Sequence, residues 1–327
     1  MKRITELLLV VGLLHTVLIP SFHGTPVAAA ADAKAKQSIP AFLQDISVTI
    51  SANRSEGSGV AFTRDGVTFI WTAAHVVDGL RSTRTIVDPK TGAKRTIIEF
   101  ADAQIIKTLV EDGRTVGRIE MDAKVIRYSD ADHGHDLALL RVRKKNFIAT
   151  SSKFYLDEKI PSLGTRLFHV GSLLGQVGSN SMTAGIVSQH GRVLNGLNGV
   201  FDQTTVTAFP GSSGGGVYLE DGRYIGMLVR GAGEGFNLIV PVRRMRTWAK
   251  EAGIEWAMDP KVKMPPQAEL NKLPVEFTGT KFSASPGTDE DKKKALKSFP
   301  YRIRRTAPFP FAPESALKQR PALLEPR

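Results

Sequence analysis

The chain contains no cysteine. That excludes a disulfide framework, a thiolate metal site and a cysteine nucleophile together, so covalent catalysis must use oxygen or nitrogen. Export stays open, because a core of this size needs no covalent staples. Aromatic residues make up only 7%, too few for the interleaved basic and aromatic surface of a nucleic-acid binder. The net charge of +12 does not reverse this, since the last 71 residues hold 14 basic and 8 acidic side chains, half of the excess. No specific nucleic-acid partner is expected. Long apolar runs are lacking too: Leu7 to Ile19 is too short to cross a bilayer comfortably. It follows Lys2 and Arg3 and precedes the small residues Thr25 to Ala33, with a small-x-small site in Ala28, Ala29 and Ala30. Residues 1–30 therefore read as a secretory signal peptide, giving a periplasmic or secreted protein; an uncleaved membrane anchor is the alternative.

The whole chain is 42% hydrophobic, enough for one large core or two modest ones. Of 18 prolines, 11 lie in residues 257–327 beside the charged run Asp289 to Lys294, so this stretch reads as a Pro-rich basic tail, largely disordered. An acidic surface or an envelope polymer is the partner such a tail fits. Between Ser38 and Gly253, short alternating runs are broken by Gly, Asp and Asn, an all-β pattern. Gly59 to Thr63 and Val67 to Thr72 read as a hairpin around the turn Arg64-Asp65-Gly66. Further strands are expected at Lys124–Tyr128, Leu137–Val142, Arg166–Val170, Met182–Gln189, Thr204–Phe209, Gly215–Leu219, Tyr224–Arg230 and Phe236–Val242. One helix closes the series: Met245, Trp248, Ala249 and Ala252 share a face, Gly253 stops it, and Arg243, Arg244 and Arg246 are expected in solvent.

The strongest local signal is Pro210-Gly211-Ser212-Ser213-Gly214-Gly215-Gly216 between two strands. Its glycines let the backbone turn tightly and aim amide hydrogens inward, where they stabilise an oxyanion formed by attack of a serine. Serine requires a base, and the base an orienting partner. His75, in Thr72-Ala73-Ala74-His75-Val76-Val77, is the candidate base, and Asp136, at the head of the apolar run to Val142, the candidate partner. Asp130, Asp132, His133, His135 and Asp136 also form a dense set of potential metal ligands. Strand alternation would split such neighbours across two faces, so a charged loop is the simpler reading and neither metal nor cofactor is expected.

TAAHVV, HDLALL and GSSGG, in that order, resemble chymotrypsin-fold serine proteases, and SGVAF, MTAGIVS, PGSSGG and GFNLIVPV resemble the bacterial Deg or HtrA branch. The resemblance covers roughly residues 38–256 and implies two perpendicular six-stranded β-barrels with a C-terminal helix and the active cleft between the barrels. The protease domain would be 31–256, without a PDZ domain. His75, Asp136 and Ser213 would be the catalytic triad, and Gly211 and Ser213 the oxyanion amides. Ser212 stands where secreted digestive relatives carry the aspartate of their activation switch, so activity independent of N-terminal trimming is expected. Thr207, Val229, Arg230 and Gly231 are placed at the primary specificity pocket, and the uncharged Thr207 favours small or medium apolar side chains. Gly231, Gly233 and Gly235 read as a tight turn rather than a phosphate loop. Unfolded proteins or peptides would be the substrates, and family members often assemble as homo-oligomers, with which residues 38–50 are compatible. The alternative within the same fold is a catalytically inactive binding module at the cell envelope.

Overall fold

The computed structural model describes residues 37–111, 113–194, 197–231 and 235–279. The signal segment, Gly233 and the tail beyond 279 lie outside these residues. The chain begins with a short helix α1 (Ile39–Asp45), capped by the Ser38 hydroxyl. Strands β1 (Ser47–Ala52), β2 (Ser55–Arg64) and β3 (Val67–Thr72) follow. Arg64 pairs with Val67, so the β2–β3 loop is Asp65-Gly66, and both residues have positive φ as a two-residue turn of the primed type requires.

The single turn α2 (Ala74–Val77) carries His75 and leads to an outlying hairpin, β4 (Arg81–Val87) with β5 (Lys94–Phe100). Then come β6 (Ala103–Glu111), β7 (Arg114–Ser129) and β8 (Leu137–Lys145). These close a first barrel in the order β1-β2-β3-β8-β7-β6, with Val48, Ile50, Ile70, Ile105 and Leu140 buried together on one face of its strands. The second barrel uses β10 (Arg166–Leu173), β11 (Gly178–Val193), β12 (Val200–Thr204), β13 (Gly216–Leu219), β14 (Arg223–Gly231) and β15 (Asn237–Pro241). Its order is β13-β10-β11-β12-β15-β14, closed by the β13–β14 pairing, with β9 (Lys153–Phe154) added parallel to β14. The fold is thus all-β, two six-stranded barrels with a C-terminal helix.

Helix α3 (Val242–Glu251) ends in a Schellman arrangement: Gly253 is left-handed, Ile254 N donates to Ala249 O at 2.8 Å and Gly253 N to Lys250 O at 3.2 Å. Met245, Trp248, Ala249 and Ala252 are buried as their spacing requires. Arg244 is buried too, at 3% exposure, which corrects the expectation that it faces solvent. It shares the face of Trp248 four residues on, and its guanidinium finds acceptors in Asn198 O (2.6 Å) and Gly134 O (3.4 Å) and the Phe201 ring at 4.7 Å.

The tail boundary moves as well. Residues 258–279 lie on the folded unit: Trp71 Nε1 donates to Ala257 O, Leu270 in helix α4 (Gln267–Leu270) is buried, and Val262, Met264, Leu273, Val275 and Phe277 pack against the first core. Proline content set the expected boundary, whereas these spaced apolar side chains decide it. Thr204–Phe209 is not a strand either. After Thr204 the Asn237 side chain takes Val206 O at 2.6 Å and the Thr204 hydroxyl takes Val206 N at 3.2 Å, so side chains intercept groups a ladder would use.

Beneath the glycine-rich turn lies His169 of β10, fully buried. Its Nδ1–H donates to Gly216 O at 3.0 Å, and Nε2 has no hydrogen-bond partner among the described residues. Burial lowers its pKa to about 4, opposed by the bond to Gly216. An unfolded chain takes up this proton as pH falls through about 6.5, while the native state resists until about 4. Stability should therefore fall with pH across that window, by on the order of 3 kcal/mol at its acid end. Urea unfolding at pH 7 and pH 5 should show the loss in the native protein and a smaller one in His169→Gln; equal losses would refute it.

Candidate active site

His75 sits on the second position of α2, where the chain turns sharply after β3. Its Nδ1 lies 3.0 Å from both carboxylate oxygens of Asp136, and its backbone N donates to Asp136 Oδ1 at 3.1 Å. Asp136 stands just before β8 with φ +55°, an unusual conformation for a residue other than glycine, and its side chain is only 2% exposed. The imidazole is 35% exposed. A carboxylate against Nδ1–H holds the tautomer that leaves Nε2 with its lone pair free.

Ser213 enters from the second barrel. Its carbonyl accepts Ser58 N at 2.7 Å, and Gly214 N donates to Leu228 O at 2.8 Å, so each barrel holds one side of the turn. Gly214 has φ +86°, and a Cβ there would fall 2.2 Å from Ser58 O and 2.3 Å from Thr72 Oγ1. Thr72 ends the strand that leads to His75, so only glycine permits the turn to lie this close to the histidine segment. The imidazole's hydrogen bonds are to Asp136; none joins it to Ser213 Oγ among the described residues. Contacts of this kind commonly tighten only when substrate is bound.

The peptides around Ser213 are fixed on one side and open on the other. Pro210 O accepts Leu174 N at 2.7 Å, and Gly211 O accepts the Ser58 hydroxyl at 2.7 Å. A trans peptide points its N–H opposite its C=O, so the Gly211 N–H is turned away from Leu174. Neither Gly211 N nor Ser213 N donates to an acceptor among the described residues. The Ser212 side chain is buried and accepts Phe209 N at 3.1 Å, which stabilises its own turn and leaves no role for an ion pair there.

Beside Ser213 opens a cavity of about 350 Å³ walled by Ala208, Phe209, Pro210, Val229, Arg230 and Gly231 among others. Val229, Arg230 and Gly231 line this cavity. Thr207 does not: it is exposed, its carbonyl accepts the Thr183 hydroxyl, and the next residue, Ala208, lines the cavity instead. The placement of Thr207 rested on the resemblance, by its position six residues before Ser213. Ser58 was missed as an individual residue, although it begins the motif SGVAF.

The candidate metal cluster does not converge. Asp136 faces His75, His135 is buried near Trp248 and Arg244, and Asp130 accepts the amides of Asp132 and His133 within its own loop. Burial brings the Arg244 pKa down to about 10, opposed by the charge of Asp136.

A model of the trypsin-like peptidase domain matches residues 57–227. The serine protease Do-like HtrA of Lactobacillus helveticus is 29% identical over 177 residues, 53% of this chain and 35% of that protein. A probable periplasmic serine endoprotease DegP-like of Pseudomonas fulva is 33% identical over 175 residues, 53% of this chain and 29% of that protein. The chain thus matches about a third of the length of these relatives. A solved structure of Deg5 superposes at 20% identity with a TM-score of 0.48, covering 68% of this chain and 94% of the other. With the matched span running from the β2 strand that seats Ser213 through most of the second barrel, the chain belongs to the trypsin-like peptidase domain family.

Proposed function

We propose that this chain is a Deg/HtrA-like serine endopeptidase acting on unfolded proteins or peptides outside the cytoplasm, through His75, Asp136 and Ser213. The observation that carries the reading is the buried Asp136 carboxylate held 3.0 Å from His75 Nδ1 beside a serine turn with two uncommitted amides. Ser213 Oγ attacks the scissile carbonyl carbon as His75 Nε2 takes its proton, and the carbonyl oxygen becomes an oxyanion facing the Gly211 and Ser213 amides. The imidazolium, stabilised by Asp136, then protonates the leaving amine as the C–N bond breaks, giving an acyl-enzyme. Water, deprotonated by the same imidazole, cleaves that ester and returns the proton to Ser213.

Relatives described as serine protease or periplasmic serine endoprotease support the activity and the location. The specificity cavity carries no carboxylate among its lining residues, which supports apolar rather than basic side chains at the cleaved position. A homo-oligomer and a role in envelope protein quality control are consistent with this class.

Casein or another unfolded substrate should be turned over by the native protein, and Ser213→Ala should lower kcat by about four orders of magnitude or more. Equal rates would leave an inactive binding module as the reading. A peptide library should show small or medium apolar residues at the cleaved position, and a profile dominated by Lys and Arg would contradict the pocket assignment. In Ser58→Ala the Gly211 carbonyl and Ser172 N–H both lose a buried partner. We expect kcat to fall about tenfold to a hundredfold with KM little changed, because an oxyanion donor loses its support. A change confined to KM would place Ser58 in substrate binding instead.

A further inference from the structure

We propose that residues 275–279 form a positioning strap for the His75–Asp136 pair, acting through Ser129, Tyr128 and Glu276. This rests on the catalytic reading above. Both barrels close through strands that end before α3, so the strap is not needed to complete either sheet. It instead returns along the end of β7, where Tyr128 N donates to Val275 O at 2.8 Å and Phe277 N to Tyr128 O at 2.9 Å, an isolated parallel bridge. Trp248 Nε1 of α3 adds a bond to Phe277 O at 3.0 Å.

From this line, one set of contacts reaches Asp136. The Ser129 hydroxyl donates to Thr278 O at 3.0 Å and accepts His135 N at 2.8 Å. It thus joins the strap to His135, the residue immediately before Asp136. Asp130 O accepts both Gly134 N and Asp136 N and completes the loop. Gly279, with φ +81°, lies flat against His135 and Trp248; a Cβ would stand 2.9 Å from each.

A second set reaches His75. The Tyr128 hydroxyl donates to Asp78 Oδ1 at 2.7 Å, one residue beyond α2. Arg81 grips Glu276 Oε2 with Nε at 3.1 Å and a terminal nitrogen at 2.9 Å. The imidazole and its carboxylate arrive on segments separated by 61 residues, and the same five-residue strap references both. A displacement of about 1 Å in such a pair costs on the order of a hundredfold in rate, so a common reference has catalytic value.

Full-length protein carrying Ser129→Ala, Glu276→Arg, or Glu276→Arg with Arg81→Glu tests this. Ser129→Ala and Glu276→Arg should lower kcat about tenfold or more with KM within about threefold, and the double charge reversal should restore most of the loss. In a Ser213→Ala background, the proton NMR signal of the His75 Nδ1–H held against Asp136 should move upfield or broaden by exchange in both strap variants, because that hydrogen bond loses alignment, and recover in the reversal. An unchanged Nδ1–H signal, or losses that track only the folded fraction, would overturn the strap. Glu276→Gln is the milder substitution should Glu276→Arg fail to fold. Absence of Ser213-dependent turnover in the native protein would overturn the peptidase reading, while the His75 Nδ1–H signal would still decide whether the strap positions the pair.

Discussion

Two apolar barrels can pack together only if the polar groups trapped at their seam find partners, and at the site that requirement is met mainly by Ser58. Its N–H goes to Ser213 O, its carbonyl to the Thr72 hydroxyl, and its own hydroxyl bridges Ser172 N and Gly211 O. A fully buried serine therefore belongs to β2 of the first barrel while satisfying the serine turn of the second. The rest of the site depends on this. Bonds from Ser58 to Gly211 O and Ser213 O fix the turn on both sides of Ser212, while the amides of Gly211 and Ser213 donate to no acceptor among the described residues.

Helix α3 and the segment beyond it supply the second tie. The helix grows out of β15 in the second barrel, yet Trp248 lies edge-on to Trp71 of the first barrel at 6.0 Å, and Trp256 meets Phe69 at 4.9 Å. Aromatic burial of this kind contributes far more than the exposed ion pairs around it. Arg244 uses the same face to place a buried cation behind the loop that bears Asp136, with carbonyl oxygens in place of a carboxylate partner. A charge held this way is costly to desolvate and serves geometry more than stability.

Several features were legible because they depend on local chemistry. Asp65-Gly66 favours a primed turn, Gly253 specifies a helix stop, and the apolar run Val67–Thr72 coincides with β3 end to end. Other elements were hidden for physical reasons. The β4–β5 hairpin is exposed and polar, so no burial imprints a period on it. Residues 258–279 combine prolines with widely spaced apolar side chains, a composition that reads as tail until a surface exists for them to cover. The alternation of 204–209 resembles a strand, but its ladder groups at Val206 are taken by the side chains of Thr204 and Asn237.

By itself, then, the amino-acid order carried enough motif resemblance to determine the family and the two barrels, and it nominated His75, Asp136 and Ser213 as the candidate site, because residue type and short-range spacing encode turns and strand faces. Tertiary structure alone decided which amides stay uncommitted, which residues line the cavity beside Ser213, that Arg244 is buried, and that the chain after α3 returns to the Asp136 loop. Each of those depends on groups from distant segments competing for the same buried space and hydrogen-bond partners, and that competition leaves no local trace in the sequence.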